Sequence, residues 1–218
     1  MLNHNTTQKI INFNCLFEMQ HSYDADLPIT EEYVPVISEH HTQSLMMNQY
    51  AVDILYNQHG INDELIEHYQ IGLYHHPESQ RDCITIPLYQ NSDLVGFYYK
   101  TVSNFDANVN SWGCGHAPRI YNLDNCCHGK VIYLFDDPLK AISMAPVLHG
   151  HILAVATGFM LSSLEVTSIM KKSPSQLIVC CEFSTPEFTK FRIISQFKPN
   201  GIEVLFETDI EDVTYGKA

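Results

Sequence analysis

From Lys130 onward, β-type runs and helical patterns alternate with short links, and few folds accommodate that order. Val131–Phe135 reads as a strand and Pro138–Leu148 as a helix with proline in its first turn. Ile152–Ala156 is a second strand and Ser162–Met170 a second helix. Leu177–Cys181, Pro186–Phe197 and Ile202–Phe206 continue as strand, helix and strand. Successive strands separated by a helix cannot pair as tight hairpins, so they lie parallel, with the helices covering the faces. The spacing predicts an α/β fold here: a four-stranded, mostly parallel sheet flanked by helices on both sides.

The preceding residues have a different texture. Leu45, Met46, Tyr50, Val52 and Leu55 predict a helix ending near Gly60, a C-terminal cap position. Asn62 then caps a second helix that carries Leu65, Ile66 and Tyr69. This helical hairpin leads into Cys83–Tyr89 and Leu94–Tyr99, two β-type runs around the turn Gln90-Asn91-Ser92-Asp93. Residues 103–117 read as a loop containing Trp112, followed by Pro118-Arg119-Ile120-Tyr121-Asn122. Three units result: an acidic arm over residues 1–44, an α+β subdomain over 45–129, and the alternating segment over 130–218. The arm is polar and aperiodic.

Charge narrows the function classes. Twelve Lys+Arg stand against twenty-five Asp+Glu, for a net charge of −13. Proteins that grip nucleic acid along broad surfaces show the reverse sign, so any such contact must be local. A −13 chain could alternatively mimic nucleic acid toward a basic partner, as an inhibitor or decoy. The longest apolar run, Ile152–Ala156, is far short of the ~20 residues a membrane span needs. The amino terminus has no apolar block of the secretory kind, so the expected location is the cytoplasm.

Seven cysteines with two adjacent pairs do not form a disulfide framework, and Cys180-Cys181 read as small buried strand residues. Cys114, His116, Cys126, Cys127 and His128 place five soft ligands close together. They lack the paired two-to-four-residue gaps of a zinc knuckle, so loop residues and buried thiols are the expected reading. Trp112 is the single tryptophan, and a loop aromatic can stack on a base or plug a core.

The order of these pieces resembles the catalytic core of bacterial replicative primases and related phage primase-helicases. That family reads roughly R-x-x-x-P-[IL], then V-G-F with a basic residue, then P-K-Y-[LI]-N, then a Toprim subdomain. Arg81, Pro87, Val95-Gly96-Phe97, Lys100 and Pro118-Arg119 through Asn122 stand at those places, and the resemblance covers about residues 45–215. It implies that Arg81, Lys100 and Arg119 face template or nucleotide, and Trp112 is the loop aromatic that could join them by stacking. It also implies a Toprim site in which a glutamate and an Asp-x-Asp hold magnesium or manganese for nucleotide transfer.

The matching positions depart from that pattern. Asp136-Asp137 stands for the Glu-Gly, Lys140 for an aspartate, and Glu182-Phe183-Ser184 for the Asp-x-Asp. Asp209 lies in the last acidic cluster. Shortening Glu to Asp moves a ligand by about 1.5 Å, more than octahedral magnesium tolerates. Phe159 and Phe183 are expected to obstruct the floor of the site. Asp136, Asp137, Glu182, Ser184 and Asp209 are therefore vestigial in this reading, and no cofactor is expected; if the acids still work, the cofactor is Mg or Mn. The expected function is a catalytically inactive primase-like protein that binds single-stranded nucleic acid or a replication or defence partner, as mobile elements carry. The alternatives are an active minimal Toprim primase or nuclease and the acidic decoy.

Overall fold

The structure is a computed structural model, and it describes residues 39–76, 81–102, 110–113, 119–155 and 159–208. The residue 1–38 arm, Cys114, His116 and Asp209 lie outside these segments.

The helical hairpin is built from three helices, α1 (Glu39–Met47), α2 (Gln49–His59) and α3 (Asp63–His68). The sequence pattern reads α1 and α2 as one helix; Asn48 divides them. Its backbone leaves the helical region (φ −98°, ψ 88°), and its Oδ1 accepts from the Ala51 N–H at 3.1 Å. Its Nδ2 donates to Asp82 Oδ2 at 2.8 Å, so a partner 34 residues away favours the break. Gly60 closes α2 at φ 62°, a left-handed conformation that costs glycine little. Asn62 caps α3 by accepting from the Leu65 N–H at 3.0 Å.

An antiparallel sheet follows: β1 (Gly72–His76), β2 (Arg81–Gln90), β3 (Asp93–Thr101) and β4 (Asn110–Gly113), paired in that order. The turn between β2 and β3 holds Asn91 and Ser92 at φ 52° and 66°, the two positive angles a two-residue hairpin requires. Trp112 does not sit in a loop as expected. It is in β4, opposite Phe97 of β3. Four residues with glycine at one end carry too little alternation to reveal a strand, and β4 exists because β3 offers an edge.

The second sheet contains β5 (Ile120–Tyr121), β6 (Val131–Phe135), β7 (His151–Val155), β8 (Gln176–Cys180) and β9 (Glu203–Glu207) in the order β5-β7-β6-β8-β9. Strands β6 to β9 are parallel, as the alternation requires, and β5 adds an antiparallel edge through Ile120 opposite Val155. The crossovers are α4 (Pro138–Met144), α5 (Ser163–Lys171) and α6 (Glu187–Phe197). Helix α4 ends at Met144, one turn before the expected Leu148.

Period-two alternation assigns each strand residue to a face. Phe135, Ile152, Ala154, Ile178 and Cys180 face one core with Leu139, Ala141 and Ile142 of α4 and the amino-terminal helices. Ile132, Leu134, Leu153, Val155, Leu177 and Val179 face the other core with Ile169 of α5 and Ile193 and Phe197 of α6. Tyr98 of β3 joins the two sheets. It is fully buried, and its hydroxyl lies 2.9 and 2.8 Å from the carbonyl oxygens of Arg119 and Ala154, its one proton shared between them. Among the described residues, no helix is long and apolar enough to cross a membrane.

Candidate functional site at the carboxyl ends of the parallel strands

In parallel α/β sheets, ligands gather where strands end and helices begin. Asp136-Asp137 directly follows β6 and Cys181-Glu182 directly follows β8, so their acids lie at the carboxyl ends of neighbouring strands. Asp137 caps α4, its Oδ1 accepting from the Leu139 N–H at 2.7 Å. Its other oxygen, Oδ2, lies 3.5 Å from Lys100 Nζ, which arrives from β3 of the antiparallel sheet. Both side chains are mostly buried. The pair thus ties the two sheets together at the mouth of the site.

Lys140, one turn into α4, places its ammonium between the other two acids. Its Nζ lies 3.9 Å from Asp136 Oδ1 and donates to Glu182 Oε1 at 3.1 Å. Ser184 Oγ donates to the second oxygen of Glu182 at 3.1 Å. Hydrogen bonding from Lys140 holds the Glu182 carboxyl below its ordinary range. Burial pushes the Asp136 carboxyl up, with Lys140 pulling against that and Asp137 adding to it.

His59 completes the group. It ends α2, and its Nε2 is buried without a hydrogen-bond partner. Burial first, then the nearby Lys100 charge, push its pKa down to about 4. Asp137 opposes and Lys140 adds to that shift. In the sequence His59 reads as a helix-end residue, and nothing local marks it as facing two lysines. Because the unfolded chain takes up this proton at its ordinary value and the folded chain resists it, His59 favours the fold above about pH 6.5 and loses that effect as pH falls toward 4. The loss should reach roughly 3 kcal/mol. Urea midpoints at about pH 7 and about pH 4.5 should therefore differ less in His59→Gln than in the parent. Equal pH dependence in both would show that His59 is not the group involved.

The donor set does not suit the divalent ion that the sequence resemblance implies. An ammonium stands where a cation would bridge Asp136 and Glu182, and an ammonium excludes a metal by charge and by volume. Among the described residues, no three His, Cys, Asp or Glu side chains group so as to hold a metal. The neighbouring crevice, lined by Ile84, Ile86, Tyr98, Lys100, Asp137, Pro138 and Leu139, has a cavity volume of about 10 Å³. That is about the space of one water and far below a small-molecule pocket.

The other expected site residues are scattered. Arg119 is exposed just before β5, and Arg81 opens β2 opposite His76 of β1. Cys126 is buried, its thiol pushed up to about 12 by burial. Cys127 is exposed, and its N–H donates to His151 Nε2 at 3.2 Å; His128 is exposed. Phe159, expected to obstruct the floor of the site, is buried in the second core, and Phe183 is 88% exposed. The expected obstruction by Phe183 is therefore corrected. After β8 the chain turns outward, Thr185 N–H donating to the Glu182 carbonyl at 2.9 Å, and the ring is left in solvent.

This pairing of a helical hairpin, an antiparallel sheet and a parallel sheet with one antiparallel edge strand is the fold of primase catalytic cores. A solved catalytic core of the primase DnaG is similar at TM-score 0.60 and 14% identity, covering 82% of this chain and 73% of that one. A DnaG catalytic domain bound to single-stranded DNA is similar at TM-score 0.59 and 14% identity, covering 82% and 74%. The zinc-binding and RNA polymerase domains of the Aquifex aeolicus primase are similar at TM-score 0.63 and 12% identity, covering 83% and 56%. No protein-family model and no curated protein matches the sequence. At these identities the likeness concerns the fold.

Proposed function

We propose that this protein is a primase-like binding protein that no longer transfers nucleotides and acts on single-stranded nucleic acid, in the replication or defence of a mobile element. One observation carries the reading: the Lys140 ammonium lies between Asp136 and Glu182, at 3.9 and 3.1 Å. Nucleotide transfer by two cations needs carboxylates that are vacant toward the metal and about 3.5–4 Å between the ions. Here one lysine, Lys140, is shared by two of the acids and a second, Lys100, pairs with Asp137. Two ammoniums against three carboxylates reduce the charge of the site from −3 to −1, which weakens its demand for magnesium. Single-stranded DNA is the ligand of a DnaG domain with the same fold, which supports a single strand as the target.

The test is primer synthesis on single-stranded templates with magnesium or manganese, beside binding of the same strands over a salt series. The expected result is no primer above background, with strand affinity that falls as salt rises. Manganese-dependent primers from the unmodified protein, lost in Glu182→Ala, would overturn the reading and make the chain a minimal polymerising enzyme.

A further inference from the structure

Phe183, Phe188 and Phe191 are 88%, 75% and 70% exposed. Three such rings present on the order of 400 Å² of apolar surface to water, the size at which an exposed patch marks an interaction site. Phe188 and Phe191 are three residues apart on α6, and exposed Ser195 and Lys198 continue the same stripe at helical spacing. Phe183 stands on the turn leading into the helix, next to Glu182 of the site already described. Phe183 thus links the site, along the chain, to the helix that carries the other two rings.

Charge selects the occupant. Residues 183–198 hold Lys190, Arg192 and Lys198 against the single acid Glu187, a local +2 in a chain of −13. Lys190 pairs with Glu187 at 2.9 Å and Arg192 donates to the Leu161 carbonyl at 3.4 Å, so exposed Lys198, on the stripe itself, is the cation in line with the rings. A partner that is anionic and also carries flat apolar faces fits both halves of the patch. Single-stranded nucleic acid has that chemistry, because bases stack on aromatic rings while phosphates meet the cations.

We infer that Phe183, Phe188 and Phe191 form a stacking platform on which a single strand lies along α6, rather than on Arg81, Lys100 and Arg119. The inference rests on the single-strand reading above and places its main contact. Few cations take part, so stacking supplies most of the affinity, and the strand is bound with little base preference. With at most three phosphates neutralised, the slope of log affinity against log salt is about −2.

The experiment measures fluorescence anisotropy of a labelled oligothymidylate and of an equally long abasic sugar-phosphate strand. The proteins are the full chain and its Phe188→Ala/Phe191→Ala variant, whose exposed positions leave both cores intact. The expected result is oligothymidylate binding weakened about tenfold or more in the variant, and an abasic strand bound poorly and equally by both proteins. Unchanged oligothymidylate affinity in the variant would overturn the platform while leaving single-strand binding in place. Equal affinity of the parent for both strands would overturn stacking. No binding of either strand by the parent would remove both the platform and the single-strand reading. Recovery from host extract of a protein whose capture needs Phe188 and Phe191, with strand affinity unchanged, would assign the face to that protein instead.

Discussion

Tyr98→Ala is expected to cost about 5 kcal/mol, enough to leave a domain of ordinary stability largely unfolded. Truncating a fully buried aromatic ring leaves a cavity worth about 3–5 kcal/mol. The hydroxyl adds to this, because without it the carbonyls of Arg119 and Ala154 lose the one donor they share, at 2.9 and 2.8 Å. The neighbouring Tyr121 ring, edge-on at 6.2 Å, would also lose its packing partner. Tyr98→Phe isolates the hydroxyl and should cost about 1–3 kcal/mol. Urea denaturation of both variants separates ring from hydroxyl. A Tyr98→Phe protein within about 0.5 kcal/mol of the parent would mean that the two carbonyls find other donors.

The second large effect is expected at the Lys100–Asp137 pair. Asp137→Ala removes the cap of α4, worth about 1 kcal/mol, and strips the mostly buried Lys100 of the carboxylate at 3.5 Å. Removing one partner of a buried pair costs about 3–5 kcal/mol, and some residual exposure brings the sum to about 3–4 kcal/mol here. Asp137→Asn keeps the cap oxygen and should cost less. Changing both partners together, Lys100→Met with Asp137→Asn, should restore part of the loss, since no unpaired charge then remains. A double-mutant cycle by urea unfolding should give a coupling above about 1 kcal/mol. Strictly additive losses would show that the two sheets are held at this point by apolar packing alone.

The parallel strands were legible because period-two alternation inside apolar runs is a local property, and so was the hairpin turn at Asn91-Ser92. Gly60 and Asn62 marked helix ends by their own backbone and side-chain chemistry. Other boundaries came from distant partners: Asn48 breaks the first helix while bonded to Asp82, 34 residues away. Strands β4 and β5 have four and two residues, too few for a period, and form because β3 and β7 present free edges.

The acids of the candidate site were visible in the sequence because they directly follow strands. Their electrostatic state was not. The sequence placed Lys140 four residues after Asp136, a spacing that implies proximity on any helix, whereas the approach of Glu182 from 42 residues away requires β6 and β8 to be neighbours. Lys100 and His59 reach the same point only because the antiparallel sheet and α2 pack against α4. Phe183 shows the converse: a sequence position inside the site motif, with a ring that the turn after β8 directs into solvent. Local pattern determined which elements form, since helix and strand periods depend on neighbouring residues. Which charges neutralise one another, and which rings face water, depended on how those elements cross, because Coulomb and packing energies fall with distance in space rather than along the chain.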